Sequence, residues 1–267
     1  MPIITLTTDL GLKDHYVASV KGAILSQIPD ITVVDITHNI EPFNFSQAAY
    51  VIQNCFKNFP TGSIHIIGVD AELSLDNSHL AVFAQGHYFI GTDNGSFSLL
   101  FDELKPEKIV ELNISQQTDS LTFPIKDVFV IAACHIARGG TLEIIGKEIA
   151  EFKNVKSVLK PVTEHDENTN YDIIKGAVIY IDSYGNATTN ISKQLFEQVK
   201  KGRDFNILFG KEDEKISKIS EKYKDAHDGD TLAIFSINGM LEIAQNKGRA
   251  TDLLGLRIHD YIRIEFR

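Results

Sequence analysis

IITLTTDLGLKDHYVASVKG, residues 3–22, is the stretch whose reading decides the fold. Ile3 to Thr7 is a short apolar, β-branched run with the composition of a buried strand. Thr8-Asp9 stand where that run stops, and Gly11 permits a sharp turn. Asp14 takes the N-cap position before an amphipathic helix whose apolar residues, Val17, Val20, Ala23 and Ile24, recur at helical spacing. A carboxylate at the carboxyl end of the first strand of an α/β sheet is where ligands meet the protein. The same Asp9 could instead cap the turn through its own side chain. On this stretch alone both readings stand.

Moving outward, Pro29-Asp30 precede a strand ITVVDI (31–36) that ends in Thr37-His38-Asn39. A helix follows Pro42, with Ala48, Ala49, Val51 and Ile52 on its apolar side. Pro60-Thr61-Gly62 breaks the pattern before a third strand, SIHIIGV (63–69), which ends at Asp70. Strands this apolar are covered on both faces, so the β-α-β-α-β order implies a mostly parallel central sheet flanked by helices. Asp9, Thr37-His38 and Asp70 then share one edge of that sheet. HLAVFAQGHYFIG (79–91) reads as a hairpin around Gln85-Gly86, Thr92 to Gly95 as a tight turn, and Lys126 to Arg138 as a helix closed by Gly139-Gly140.

Periodicity fades between Phe152 and Asn170, where Glu164 to Asn170 is a polar connector. The expected division is therefore an N-terminal α/β domain (1–160), a connector (161–175) and a smaller, all-β, barrel-like C-terminal domain (176–267). The last part carries strands GAVIYID (176–182) and NILFG (206–210), and a charged stretch from Lys211 to Asp225. A hairpin then joins TLAIFSI to MLEIAQN through Asn238-Gly239, and IHDYIRIEF (258–266) is an alternating final strand.

Composition narrows the function. With 26 basic and 36 acidic residues the formal charge is −10, and no long basic run is present, which argues against nucleic-acid binding. Cys55 and Cys134 fall in apolar helical patterns and read as small buried hydrophobes. No segment reaches membrane-spanning length and the strand-like run begins at residue 3, so a soluble cytoplasmic protein is expected. Phosphate loop, Rossmann glycine triplet, nucleophile elbow and zinc-ligand spacing are all missing.

Several stretches together resemble the S-adenosylmethionine hydroxide adenosyltransferases, relatives of fluorinase and chlorinase. They are TTDLGLKDHYVASVKG (7–22), VVDITHNIEPF (33–43), HIIGVD (65–70), GTDNGSFS (91–98), LTFPIKDVFVIAACHIA (121–137), YIDSYGNATTNI (180–191) and NGMLEIAQNKGRA (238–250). The resemblance implies a homotrimer with each site at a subunit interface, S-adenosylmethionine as substrate or ligand, no cofactor and no metal. By position it implies that Asp9 holds the ribose hydroxyls and that Phe43 walls the pocket near the sugar. It gives Asp182 the methionine ammonium, Asn186 the adenine edge, Tyr223 a stacking role and Ser236 the methionine carboxylate. Lys247 is implied to offer its backbone to the base. Residue by residue, Asp182 and Asn186 could equally form an Asx turn before Gly185, and Tyr223 could be a surface aromatic.

The reaction implied is displacement of methionine from the ribose 5′ carbon. Halogenases of the family carry a tyrosine where this chain has Asp70 and a hydroxyl residue where it has Ile125, so the resemblance points to water rather than halide. A carboxylate repels a bare halide in a low-dielectric pocket. Family hydrolases share the aspartate at Asp70, which makes Asp70 the catalytic candidate. They pair it with an arginine and a histidine, where this chain has Asn77 and Pro124. Three explanations are open: Asp70 acts with His79 or His38 as a stand-in donor, the site takes a different nucleophile or adenosyl substrate, or the protein binds S-adenosylmethionine or adenosine without turnover. A metal-dependent hydrolase built on Asp9, Asp14, Asp70 and histidines is the alternative from another class.

Overall fold

The structure is a computed structural model that describes residues 2–101, 105–115, 122–155, 160–209 and 215–267. Leu121, at the head of one matching segment, and residues 210–214, where the charged stretch begins, lie outside the described residues. The chain divides into two compact units, Met1–Lys156 and Ser157–Arg267.

In the first unit β1 (Ile3–Thr8), α1 (Tyr16–Gln27), β2 (Thr32–Thr37), α2 (Phe45–Gln53) and β3 (Ile64–Gly68) run in order, and β2, β1 and β3 pair in parallel. Every residue of β3 is buried, as its unbroken apolar run requires. Ile4, Leu6, Ile64 and Ile66 meet Val20 and Ile24 of α1 on one face, while Ile67 joins Ala48, Ala49 and Ile52 of α2 in a second cluster. Asp14 is not the cap of α1: the helix starts one residue later than expected, after His15, and has no side-chain cap bond. On α2 the cap is Asn44, whose side chain accepts the Gln47 N–H at 2.9 Å.

The expectation of a mostly parallel sheet fails in the second half of this unit. β4 (His79–Ala84) and β5 (His87–Thr92) form a hairpin, α3 (Ser96–Leu100) leads to β6 (Lys108–Leu112), and α4 (Val130–Ala137), entered through a π turn at Ile125–Phe129, leads through α5 (Leu142–Ile145) to β7 (Gly146–Glu148). The sheet order is β2-β1-β3-β5-β4-β6-β7, with three parallel pairings and then three antiparallel ones. Gln85 and Gly86 turn with φ of 51° and 78°, and a two-residue turn of that hand joins only antiparallel neighbours. The sheet is therefore mixed.

The second unit opens with β8 (Val162–Asp166) and β9 (Tyr171–Ile181), a hairpin occupying most of the stretch expected as a connector. β8 is exposed on nearly every residue, so no apolar alternation betrays it. Then come β10 (Ala187–Ser192), α6 (Lys193–Lys200), β11 (Phe205–Phe209), β12 (Lys215–Ile216), β13 (Ile219–Ser220), β14 (Thr231–Phe235), β15 (Met240–Gln245), α7 (Ala250–Leu254) and β16 (Tyr261–Phe266). The path β12-β11-β16-β9-β10-β15-β14-β13 nearly returns on itself, with β12 packed beside β14. The result is nearly barrel-shaped but not all-β, because α6 and α7 are part of it. Ser192 caps α6 by accepting the Leu195 N–H, and Phe196 plugs that helix into the core.

Candidate functional site

Two constellations hold the sequence-predicted residues, one in each unit. In the first, Asp9 comes directly after β1 and its N–H reaches the Gly68 carbonyl at the end of β3 at 3.4 Å. Its Oδ2 accepts the Phe43 N–H at 3.0 Å, and Oδ1 takes no hydrogen bond among the described residues. Phe43 lies in the left-handed region, φ 64°, with 71% of its surface exposed. A bulky residue adopts that conformation at a cost, so its N–H is held toward Asp9 by the surrounding turn. Asp70 lies just past β3, also left-handed at φ 47°, and its half-buried carboxylate has no hydrogen bond among the described residues. The turn behind it is braced by Asn94, whose Nδ2 donates to the Val69 carbonyl at 3.1 Å. The parallel register that pairs Thr8 with Gly68 sets Asp9 and Asp70 on neighbouring strand ends.

The stand-in donors are already engaged. His79 Nε2 lies 2.9 Å from the Ala71 carbonyl, its ring meets Phe129 edge-on, and burial pulls its pKa down, so it is a neutral donor already in use. His38 is buried, with Nδ1 on Thr8 Oγ1 at 2.8 Å and Nε2 turned to Asp35. Asn77 Oδ1 accepts from Lys153 Nζ at 2.7 Å. Pro124 stands as the residue before the π turn, and Ile125 packs so closely on Gly68 that a Cβ there would sit 2.6 Å from its Cδ1. Sequence reasoning missed Asn94 and Lys153, whose parts depend on contacts from distant segments. Among the described residues no three His, Cys, Asp or Glu side chains group to hold an ion.

In the second unit Asp182 closes a tight loop. Oδ1 accepts from the N–H of Tyr184 at 2.9 Å and of Asn186 at 2.8 Å, and Oδ2 accepts from Asn186 Nδ2 at 3.0 Å. The Asx turn is thus real, and it leaves Asn186 Oδ1 and the remaining lone pair of Asp182 for anything further. Tyr223 is 42% exposed and its hydroxyl donates to Glu242 Oε1 at 2.8 Å. Burial, helped by Glu242 and by Asp182, pushes the phenol above its ordinary range. Glu242 is buried at 5% exposure, and burial together with Asp182 raises its carboxyl. This glutamate was not singled out from sequence; its signal is an acidic residue inside the fully buried run Leu241–Ala244. Lys247 has φ 56° and gives its Nζ to Asp228 at 2.7 Å, which turns the charge aside from the backbone. It borders a groove of about 580 Å³ with Lys224, His227 and Asn246. Ser236 is set apart. Its hydroxyl lies 2.6 Å from Asn238 Oδ1 within the β14–β15 turn, at the opposite end of β15 from Lys247, roughly 20 Å along the strand.

Profiles described as the N-terminal and C-terminal domains of SAM hydroxide adenosyltransferase match residues 4–146 and 176–263. An (R)-S-adenosyl-L-methionine hydrolase of Methanocaldococcus jannaschii is 29% identical over 99% of this chain and 96% of its own length. One from Thermus thermophilus is 28% identical over 94% of each chain. A fluorinase of Nocardia brasiliensis is 27% identical over 92% of this chain and 90% of its own. A crystal structure of a conserved Thermotoga maritima protein superposes with a TM-score of 0.87 at 29% identity, covering 98% of this chain and 99% of that one.

Proposed function

Because the chain belongs to the S-adenosylmethionine hydroxide adenosyltransferase family, we propose that it hydrolyses S-adenosylmethionine to adenosine and methionine. Water attacks the ribose 5′ carbon and the sulfonium leaves as a neutral thioether, so the leaving group takes no proton. What the protein has to supply is alignment and exclusion of bulk water. The observation that carries the reading is the pair of carboxylates on neighbouring strand ends, Asp9 with one oxygen pinned and one open, and Asp70 with none engaged. In this proposal Asp9 Oδ1 grips the ribose hydroxyls, Phe43 walls the sugar, and Asp70 orients or deprotonates water. Asp182 draws the methionine ammonium, Asn186 reads the adenine edge, Tyr223 stacks on it and Lys247 offers backbone. Ser236 keeps its place beside the methionine carboxylate only if its turn opens.

The substrate to try first is the (R) sulfonium epimer named in the curated relatives. A homotrimer with sites at subunit interfaces is part of the proposal. Each constellation carries exposed apolar residues, Phe43, Leu73 and Leu75 in one unit and Tyr184 and Tyr223 in the other, and such surface asks for cover. Asp70 and the buried Ile125 speak for water over halide.

Incubation with (R)-S-adenosylmethionine, then chromatography, should yield adenosine and methionine in equal amounts. Binding without product above the spontaneous background would leave the second reading, a non-catalytic adenosyl-binding protein. The engagement of His79, His38 and Asn77 elsewhere favours that reading.

A further inference from the structure

Thr8 precedes Asp9, and His38 and Asp35 follow from it in a chain of contacts that has no part in the proposed hydrolysis. Thr8 is 1% exposed and His38 3% exposed. Thr8 Oγ1 lies 2.8 Å from His38 Nδ1, and His38 Nε2 faces Asp35 Oδ1 at 3.1 Å as an ion-pair contact. Asp35 Oδ2 takes Lys21 Nζ at 2.6 Å, near the surface. Burial works to raise the Asp35 carboxyl, but Lys21 and His38 outweigh it and keep it ionised.

The donors and acceptors can be assigned in turn. An ionised carboxylate only accepts, so His38 carries its proton on Nε2. Nδ1 is then bare, and the Thr8 hydroxyl donates to it. That leaves the Thr8 oxygen free to accept, and the Leu10 N–H points to it at 3.3 Å. The same two residues also bond through their backbones: the His38 carbonyl accepts the Gly11 N–H at 2.8 Å, and the Thr8 carbonyl accepts the Ile40 N–H at 3.3 Å. Asp9 is thus fixed on both sides by Thr8 and His38. The order carboxylate, imidazole, hydroxyl resembles a nucleophilic triad. Here, however, the hydroxyl is sealed from solvent and already engaged by Leu10, so it has no path to a substrate.

We propose that Asp35, His38 and Thr8 form a positioning relay that sets the Thr8–Gly11 turn so that Asp9 Oδ1 meets the paired hydroxyls of a ribose, which makes the relay a determinant of selectivity for ribonucleosides over their deoxygenated analogues. The inference rests on the ribose-holding role proposed for Asp9. A short carboxylate serves a vicinal diol only if its backbone is held to within about half an ångström. Removing the Thr8 hydroxyl leaves both the Leu10 N–H and His38 Nδ1 without partners, which lets the turn drift.

The test measures calorimetric affinities of the full chain for adenosine and for 2′,3′-dideoxyadenosine, with thermal unfolding alongside. Thr8→Val keeps the shape and loses the hydroxyl. It should weaken adenosine about tenfold and the dideoxy compound less than about threefold, the scale of one unmade buried hydrogen bond. Thr8→Ser should restore the preference. Asp35→Asn, at the solvent end of the relay, should give the same selective loss on a smaller scale, about threefold, and decides the matter if Thr8→Val does not fold. Equal losses for both nucleosides, or an unchanged preference in Thr8→Val and in Asp35→Asn, would overturn the relay. A wild-type protein that binds neither compound, or both equally, would instead remove the ribose role of Asp9 itself, so the two failures are distinguishable.

Discussion

Replacing Asp9 with alanine is the sharpest perturbation of the site, because its two oxygens do different work. Oδ2 holds the Phe43 N–H at 3.0 Å, whereas Oδ1 is open. Alanine removes both acceptors. On the ribose-holding role proposed for Asp9, the ligand loses its charge-assisted bonds from the ribose hydroxyls, each worth roughly 1.5–3 kcal/mol. Adenosine affinity should therefore fall by about 3 kcal/mol, roughly a hundredfold or more. Adenine, which has no sugar, should lose less than about threefold, a shift of under ~1 kcal/mol. Asp9→Asn sorts the two functions further. An amide has one acceptor oxygen, which can serve Phe43 or the ribose but not both, so its loss should be intermediate, about tenfold. Isothermal titration of the three proteins with adenosine and adenine reads all of this directly. Equal losses for adenosine and adenine in Asp9→Ala would refute the reasoning, since the carboxylate would then act on the pocket as a whole and not on the sugar.

Three further outcomes are expected. Asp70→Asn keeps the shape and loses the charge, so it should cut adenosine formation about a hundredfold or more while leaving S-adenosylmethionine binding in place; single-turnover chromatography checks this, and unchanged turnover would clear Asp70 of a water-directing role. His65 is held neutral by burial, and then by the adjacent His87, with its pKa lowered to about 3. The unfolded chain takes up that proton below about 6.5 and the folded chain does not. Stability should therefore be intact above pH 6.5 and fall as pH drops toward 3, by up to ~1.4 kcal/mol per pH unit from this group. Urea unfolding at pH 7 to 4 should show a shallower slope in His65→Gln than in wild type. Gly68→Ala places a methyl 2.6 Å from Ile125 Cδ1 and 3.2 Å from Thr8 Cγ2, which should destabilise the protein by about 1–3 kcal/mol. Ile125→Val in the same chain should return part of that loss in thermal unfolding.

The first half of the sheet was legible because β1 and β3 are short runs buried on both faces and ended by polar residues, a pattern open to few other readings. In the second half the β4–β5 hairpin around Gln85-Gly86 was legible, but its place was not, because only the docking of β5 on β3 sets β4 outside it, with β6 and β7 added antiparallel. β8 escaped notice for another reason: it is polar on both faces and is a strand only because β9 pairs with it. Acidic residues at strand ends could be read from position, so Asp9 and Asp70 stood out. His38 and His79 looked like free donors, because their partners Thr8 and Ala71 are fixed by tertiary contacts that no local pattern encodes. Glu242 went unread since β-strand alternation assigns it to a solvent face, whereas the fold buries it under Tyr223.

Backbone strain supports the site independently of side-chain chemistry. Among the described residues seven that are not glycine have positive φ. Gln85 and Asn170 lie in hairpin turns, Lys201 ends α6, and His259 lies in the turn before β16 that the Asp260 N–H closes on the Arg257 carbonyl, where local geometry accounts for them. Phe43 and Lys247 also lie in turns, closed by the Asn44 N–H on the Glu41 carbonyl and the Gly248 N–H on the Gln245 carbonyl, but they and Asp70 belong to the proposed site. Glycine would occupy each of these positions without the steric cost of a side chain, which is of order 1–2 kcal/mol. Each nonetheless carries a group aimed by the unusual backbone: the Phe43 N–H goes to Asp9, the Asp70 carboxylate is left open, and the Lys247 ammonium is drawn off to Asp228. Strain of this kind persists where the surrounding fold over-determines it, and it collects at binding sites. A displacement that expels a neutral thioether has little use for a titrating acid. It depends on groups that are already in place before the ligand arrives, and three backbones held against their preference, two on one sheet edge and one beside a groove, are the preparation the proposed site calls for.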